Sequence, residues 1–149
     1  ISKYSNFWKN LVDENNTANS NYGKLALWDK YNGKSQFKWC VESLQKDQNS
    51  RQAVINYNQP THKYKNNKDF VCTLAQQFIV NNNKLDTIVF MRSNDLIYGF
   101  SYDVPWFHYL HNFLAEILKI KVGEYRHFAT SMHVYERHFN MVKNIATKY

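Results

Sequence analysis

The chain is poor in the residues that staple, break or loosen a fold. Only two of its 149 residues are cysteine, Cys40 and Cys72. They form no CxxC pair and no disulfide framework, so a reducing cytoplasm is the expected setting. Four glycines and two prolines exclude a collagen-like or loop-dominated chain. No apolar run is long enough for a transmembrane helix, so no membrane partner is expected. The opening residues lack the basic-then-apolar pattern of a leader. Ile1 is not an initiator methionine, and further sequence upstream is expected. Acidic residues are the scarcer sign, 12 against 19 Lys and Arg, which leaves a net charge of +7. Such a surface suits nucleic acid, and equally a small phosphorylated ligand with an anionic cofactor. The densest basic run, residues 62–68, is polar and Asn-rich and reads as a solvated loop. A basic nucleic-acid binder is thus supported by charge alone, and no direct nucleic-acid binding is expected.

What the chain does have is aromatic and apolar content, 17% and 44%, enough for a packed core in one domain spanning residues 1–149. Residues 5–13 carry Phe7, Trp8, Leu11 and Val12 at helical spacing. Residues 15–21 are a polar loop. Phe37, Cys40, Val41 and Leu44 put a helix over 36–46, in which Cys40 is a small buried hydrophobe. Residues 53–57 alternate as a strand. Residues 70–80 and 85–91, joined by three asparagines, make a hairpin. From 104 to 120 the apolar stripe Phe107, Leu110, Phe113, Leu114, Ile117 and Leu118 predicts a long helix, with Pro105 in its first turn. Gly123 breaks the pattern, residues 124–134 read as a strand, and 135–146 return to helical spacing. The class is α+β: a mixed β-sheet packed against one long buried helix.

Several side chains carry possible chemistry. Cys72 is reactive as a thiolate, which a nearby cation favours; Arg92 becomes that cation if the hairpin pairs its two strands. Arg92 and Ser93 offer a fork of N–H donors beside a hydroxyl, a phosphate-binding pattern. Asp95 either contacts a ligand or caps the segment that follows it. Asp103 precedes Val104-Pro105, where it either caps the helix or meets a ligand. His133 and Tyr135 flank Val134 and share one face of a strand. His108 and His111 stand three apart on the long helix without further clustered ligands, so no metal site is expected.

Together these residues resemble the active-site half of the thymidylate synthase family. The resemblance rests on Cys72, Gln77-Phe78, the Arg92-Ser93-Asn94-Asp95 stretch with Gly99, and the Ser131 to Tyr135 stretch. It implies a thymidylate-synthase-like fold that dimerises through its sheet. It also implies an enzyme in which Cys72 attacks C6 of a pyrimidine deoxynucleoside monophosphate, with 5,10-methylenetetrahydrofolate donating one carbon to C5. Arg92 and Ser93 would hold the phosphate, His133 and Tyr135 the sugar, and Gln77 would be a further substrate residue. Asp95 and Gly99 would face the folate. Arg51, in Ser50-Arg51-Gln52, would reach the partner's phosphate site across a homodimer with shared active sites; the family's second arginine is Gln52 here. Val71 and Thr73 replace the proline and histidine that usually flank the cysteine. Near Tyr22-Gly23, Ala26 falls where synthases carry a shielding tryptophan, with Trp28 close by.

Asp103 stands where thymidylate synthases carry an asparagine against uracil. A carboxylate accepts from the amino group of cytosine, and uracil presents an acceptor there. The resemblance therefore implies deoxycytidylate 5-hydroxymethylation in the cytoplasm of a bacterial or phage-infected cell. The alternatives are a thymidylate synthase or a deoxyuridylate hydroxymethylase, and a non-catalytic structural or nucleotide-binding relative. The family's N-terminal segment and C-terminal tail are expected to be missing from these 149 residues.

Overall fold

The structure, a computed structural model, describes residues 9–13 and 17–148. Phe7 and Trp8, and part of the polar loop after them, lie outside the described residues. Helix α1 (Gln36–Lys46) starts where Ser35 accepts a hydrogen bond from the Lys38 N–H at 3.2 Å, and it buries Phe37, Cys40 and Leu44. Strand β1 (Val54–Asn56) is an edge strand. Strands β2 (Thr73–Asn81) and β3 (Lys84–Met91) form the expected hairpin, closed by Asn82 and Asn83 with φ of 49° and 57°. Asparagine tolerates this left-handed backbone, which matches the twist of a two-residue hairpin. Helix α2 (Phe100–Leu118) then crosses the sheet, and β5 (Lys121–Ala129) returns parallel to β3.

The sheet order is β1-β2-β3-β5, antiparallel except for the last pair. One face carries Phe78, Leu85, Val89 and Met91 against Phe107, Leu110 and Leu114 of α2, all essentially without exposure. Helix α1 joins this layer through Phe37, stacked on Phe113 at 5.3 Å. The buried Gln76 amide is fully engaged. Gln76 donates to Thr87 and to the Phe107 carbonyl and accepts from Tyr57, so its amide links β2, β3 and α2. Between Leu85 and Thr87 the β3–β5 register shifts. There the buried Asp86 carboxylate accepts from the Glu124 N–H at 2.8 Å. Gly123 is required at this bulge, because a Cβ on it would lie 2.0 Å from Asp86 Oδ1.

Three boundaries differ from the sequence expectation. Helix α2 begins at Phe100, not at 104, so Asp103 is its fourth residue and Gly99 its N-cap. The cap role for Asp103 is thereby overturned. Asp95 supplies the reason: its carboxylate accepts from the N–H groups of Ile97 and Tyr98, and the turn so formed feeds straight into the helix. Pro105 consequently sits in the second turn. The strand expected over 124–134 breaks after Ala129. Strands β3 and β5 leave the sheet in step and resume as a short parallel pair, β4 (Asn94–Asp95) with β6 (Met132–His133). The helix expected over 135–146 begins as a 3₁₀ turn and becomes helix α3 (Phe139–Ala146). Among the described residues no helix is long and apolar enough to cross a membrane.

Candidate active site

Cys72 lies at the threshold of β2, and the hairpin sets Arg92 beside it. The Arg92 N–H donates to the Cys72 carbonyl at 2.9 Å, and guanidinium Nη2 stands 3.5 Å from Sγ. The guanidinium does not swing freely. Its Nε donates to the Val71 carbonyl at 3.1 Å, its Nη2 to the Phe70 carbonyl, and its Cζ lies 4.9 Å from the Phe70 ring centre. With Nε and Nη2 so engaged, Nη1 is the nitrogen left to meet an anion, on a guanidinium that is permanently charged. Arg92 alone does not make Cys72 acidic. Burial raises the thiol pKa, Arg92 opposes that, and the carboxylates Asp103 and Asp69 add to it. The expected activation by Arg92 is thus present but outweighed. Cys40 lies deep in the core, and burial pushes its thiol up to about 12. It is chemically inert there.

Asp103 projects from the first turn of α2 into the same region. Burial raises its carboxyl to about 6, against the lowering effect of a hydrogen bond from Asn94. That bond, Asn94 Nδ2 to Asp103 Oδ2, is 2.6 Å long. Tyr22 and Tyr125 are the other polar neighbours. The charge of Asp103 is felt by both, and burial raises both phenols far enough to keep them neutral. Tyr22 is fixed by Thr73, whose hydroxyl donates to it at 2.8 Å, and by a ring stack on Phe107 at 5.7 Å. Thr73 therefore holds a wall of the site from a position where the family usually has histidine. Ala26 is fully buried in the core, and Trp28 is 68% exposed.

The β4–β6 pair brings the remaining residues alongside. Asp95 is paired in register with His133, and the Leu96 N–H donates to the His133 carbonyl at 2.9 Å. The rings of His133 and Tyr135 meet edge to face at 5.0 Å, although Tyr135 lies just beyond β6. Ser93, half-buried, sits between Arg92 and β4. Gly99 is needed for close approach: a Cβ there would be 2.7 Å from the Asp95 carbonyl oxygen and 3.1 Å from Asn94 Nδ2.

Arg51 and Gln77 are not part of this cluster. Gln77 alternates with core-facing Gln76 and Phe78, so it lies on the other face of the sheet, where it donates to the Arg51 carbonyl at 3.3 Å. Arg51 is exposed, and no described residue engages its guanidinium. His111 is buried with Nε2 against the Leu85 carbonyl. Among the described residues no three His, Cys, Asp or Glu side chains converge as a metal site. Sequence reasoning missed two site residues, Asn94 and Tyr125. Asn94 occupies the variable position of its motif, and Tyr125 is one alternating strand residue among many.

A lone thiol beside a fixed arginine, with a half-buried carboxyl in the same region, makes a candidate nucleophile-and-anion site on an α+β scaffold. The thymidylate synthase family model matches residues 2–149, and the chain belongs to that family. The deoxycytidylate 5-hydroxymethyltransferase of Enterobacteria phage T4 is 32% identical over 146 residues, covering 91% of this chain and 58% of that protein. The deoxyuridylate hydroxymethyltransferase of Bacillus phage SP01 is 34% identical over 128 residues, 78% of this chain and 33% of that protein. The thymidylate synthase of Mycoplasma mobile is 30% identical over 122 residues, 82% and 41% respectively. The chain thus spans little more than half the length of the phage T4 relative, and less of the other two. Thermostable thymidylate synthase A from Bacillus subtilis superposes with a TM-score of 0.78 at 24% identity, over 96% of this chain and 52% of that structure. The likeness establishes the α+β fold.

Proposed function

We propose that the protein transfers one carbon to C5 of a pyrimidine deoxynucleoside monophosphate through a covalent adduct at Cys72, and that the base is cytosine and the product hydroxymethylated. The observation that carries the transfer reading is the 3.5 Å approach of Arg92 to the Cys72 sulfur. One guanidinium can then serve the thiolate and the nucleotide phosphate together. Ser93 adds a hydroxyl to the phosphate site, and His133 and Tyr135 hold the deoxyribose.

Cys72 thiolate adds to C6 of the base, and the C5–C6 π electrons move out to make C5 nucleophilic. Methylenetetrahydrofolate, when bound, supplies the one-carbon unit that C5 takes up. The residues present suit such a flat heterocycle rich in N–H groups. Asp95 is an acceptor with lone pairs beyond those its two backbone donors use, and it precedes Leu96 and Tyr98, which are 41% and 53% exposed. Loss of the C5 proton would expel tetrahydrofolate and leave an exocyclic methylene on the base. Water, rather than hydride, would add to that carbon, and expulsion of the Cys72 thiolate would then restore the C5–C6 double bond of a hydroxymethylated ring.

The cytosine reading rests on Asp103. Its buried carboxyl, near 6, can present an acceptor to the 4-amino group and an O–H to N3. The 32% identity to the phage T4 deoxycytidylate enzyme supports the same choice. The partner is a second copy of this chain. The outer sheet face exposes Leu74, Phe90 and Phe128, with Phe90 stacked on Phe128 at 5.7 Å, and carries Gln77 with Arg51 beside it. An isologous pairing of that face would bring each Arg51 to its partner.

The test is a mixture of the full-length protein, folate and a 5-fluoropyrimidine deoxynucleotide, because fluorine cannot leave as a proton. Mass spectrometry should find the adduct on Cys72. No adduct, or an adduct on Cys40, overturns the nucleophile assignment. Competition between deoxycytidylate and deoxyuridylate, scored by C5 proton release, then tests the base.

A further inference from the structure

Asn94 is buried, with 2% exposure, and its side chain is fixed from several sides. Its N–H donates to the Ser131 carbonyl at 2.9 Å, and β4–β6 pairing sets it opposite Met132. The space it fills exists because Gly99 has no side chain. Within that seat the amide spends its donor on Asp103 Oδ2 at 2.6 Å, while its own Oδ1 is buried with no partner among the described residues. Folded proteins rarely leave a buried acceptor unpaired. Its bond to Asp103 is the one side-chain hydrogen bond Asn94 makes among the described residues, and it orients the amide.

A carboxylic acid is an ambiguous reader of a pyrimidine. Its proton can sit on either oxygen, so the group can offer donor-then-acceptor or the reverse. Cytosine presents an acceptor at N3 and a donor at its 4-amino group; uracil presents the opposite order. A neutral carboxyl free to exchange its proton suits both bases. An N–H already directed at one oxygen removes that freedom, because a proton there would face another donor.

We propose that Asn94 is a positioning residue: it holds Asp103 Oδ2 as an acceptor, confines the Asp103 proton to Oδ1, and so sets the donor–acceptor order that Asp103 presents to the base. In its cytosine form this rests on the function proposed above, with Oδ2 taking the 4-amino proton and Oδ1 serving N3. The titratable groups facing Asp103 are Tyr22 from the segment before α1, Cys72 at the start of β2 and Tyr125 from β5. Arg92 follows behind Cys72. Neither phenol hydrogen-bonds to Asp103: the Tyr22 hydroxyl is paired with Thr73 and the Tyr125 hydroxyl with His127 Nδ1, which leaves Asn94 as the side chain bonded to the carboxyl among the described residues.

The experiment uses Asn94→Ala and Asn94→Ser in the full-length protein. The serine variant keeps a polar atom that can donate or accept, and it guards against loss of folding in the alanine variant. Two quantities are read: the deoxycytidylate-to-deoxyuridylate ratio of kcat/KM, and the ionisation of the Asp103 carboxyl by infrared difference against Asp103→Asn. The preference should fall at least tenfold in both variants, and the Asp103 midpoint should rise above about 6. In an Asp103→Asn background the same substitutions should leave the ratio unchanged. Folded variants that keep both the ratio and the midpoint overturn the inference while the cytosine reading stands. A native protein that prefers deoxyuridylate overturns the cytosine reading; Asn94 keeps its role if the variants erode that preference, and loses it if they do not.

Discussion

The Asn94 amide donates to Asp103 Oδ2 across 2.6 Å, joining a two-residue strand to the first turn of the long helix. The bond ties the loop that carries Arg92, Ser93 and Asp95 to the carboxyl proposed to read the base. It also lowers the Asp103 pKa against a larger upward effect of burial.

Asp103→Asn should move base preference toward deoxyuridylate. The amide can donate to uracil O4 at the place where the Asp103 carboxyl accepts from the cytosine amino group. A hundredfold swing in the ratio of kcat/KM corresponds to roughly 2.7 kcal/mol, within reach of one reoriented buried hydrogen-bond pair. A ratio unchanged in the folded variant removes Asp103 from base recognition.

The same residue gives stability a pH dependence of known sign. Its folded pKa, about 6, lies above the ordinary aspartate value. The native state therefore holds the proton more tightly than the unfolded chain does. This contribution is fully present below about pH 4 and is lost as pH rises through 6. The stability of Asp103→Asn relative to the native protein should accordingly grow from pH 4 to pH 7. Urea titrations at the two pH values measure it, and a constant difference contradicts it.

Arg92→Lys keeps a positive charge and loses the fork that grips the Phe70 and Val71 carbonyls. The KM for nucleotide should rise and kcat/KM should fall about a hundredfold, roughly 2.7 kcal/mol. In Arg92→Ala the Cys72 thiol should titrate higher still, seen as slower alkylation by iodoacetamide at a given pH. Unaltered nucleotide KM in the lysine variant would show that the phosphate is held elsewhere.

Arg51 should act on the partner's site. Arg51→Ala chains and Cys72→Ala chains, each impaired alone, should recover part of the activity as mixed dimers, because one of the two sites then contains both native residues. A protein that remains monomeric at micromolar concentration, or mixtures without recovery, rules out the shared site.

Gly123→Ala should destabilise the fold by about 2–3 kcal/mol, the scale of forced overpacking. The new methyl would meet Asp86 Oδ1 at 2.0 Å and the Leu85 carbonyl oxygen at 2.8 Å. Thermal unfolding measures this directly. A loss below about 1 kcal/mol would mean the bulge relaxes freely.

The sequence by itself determined the element types and the class. Periodicity placed α1 over Gln36–Lys46 and the hairpin around its asparagine turn, because local amphipathic pattern and turn chemistry are written in neighbouring residues. The sequence also singled out Cys72, Arg92, Asp95, Asp103, His133 and Tyr135 through their resemblance to thymidylate synthase motifs. Tertiary structure decided what spacing cannot carry. The start of α2 was set by the Asp95 turn and by room at Gly99, which moved Asp103 from a cap to a buried acid. The strand break after Ala129 arose because β5 bends together with β3, a partner far away in the chain. The net pKa of Cys72 depends on burial, which outweighs the arginine that the hairpin supplies. Asn94 and Tyr125 became visible only once strands and helix were packed, since a donor's value lies in the acceptor it meets across the fold.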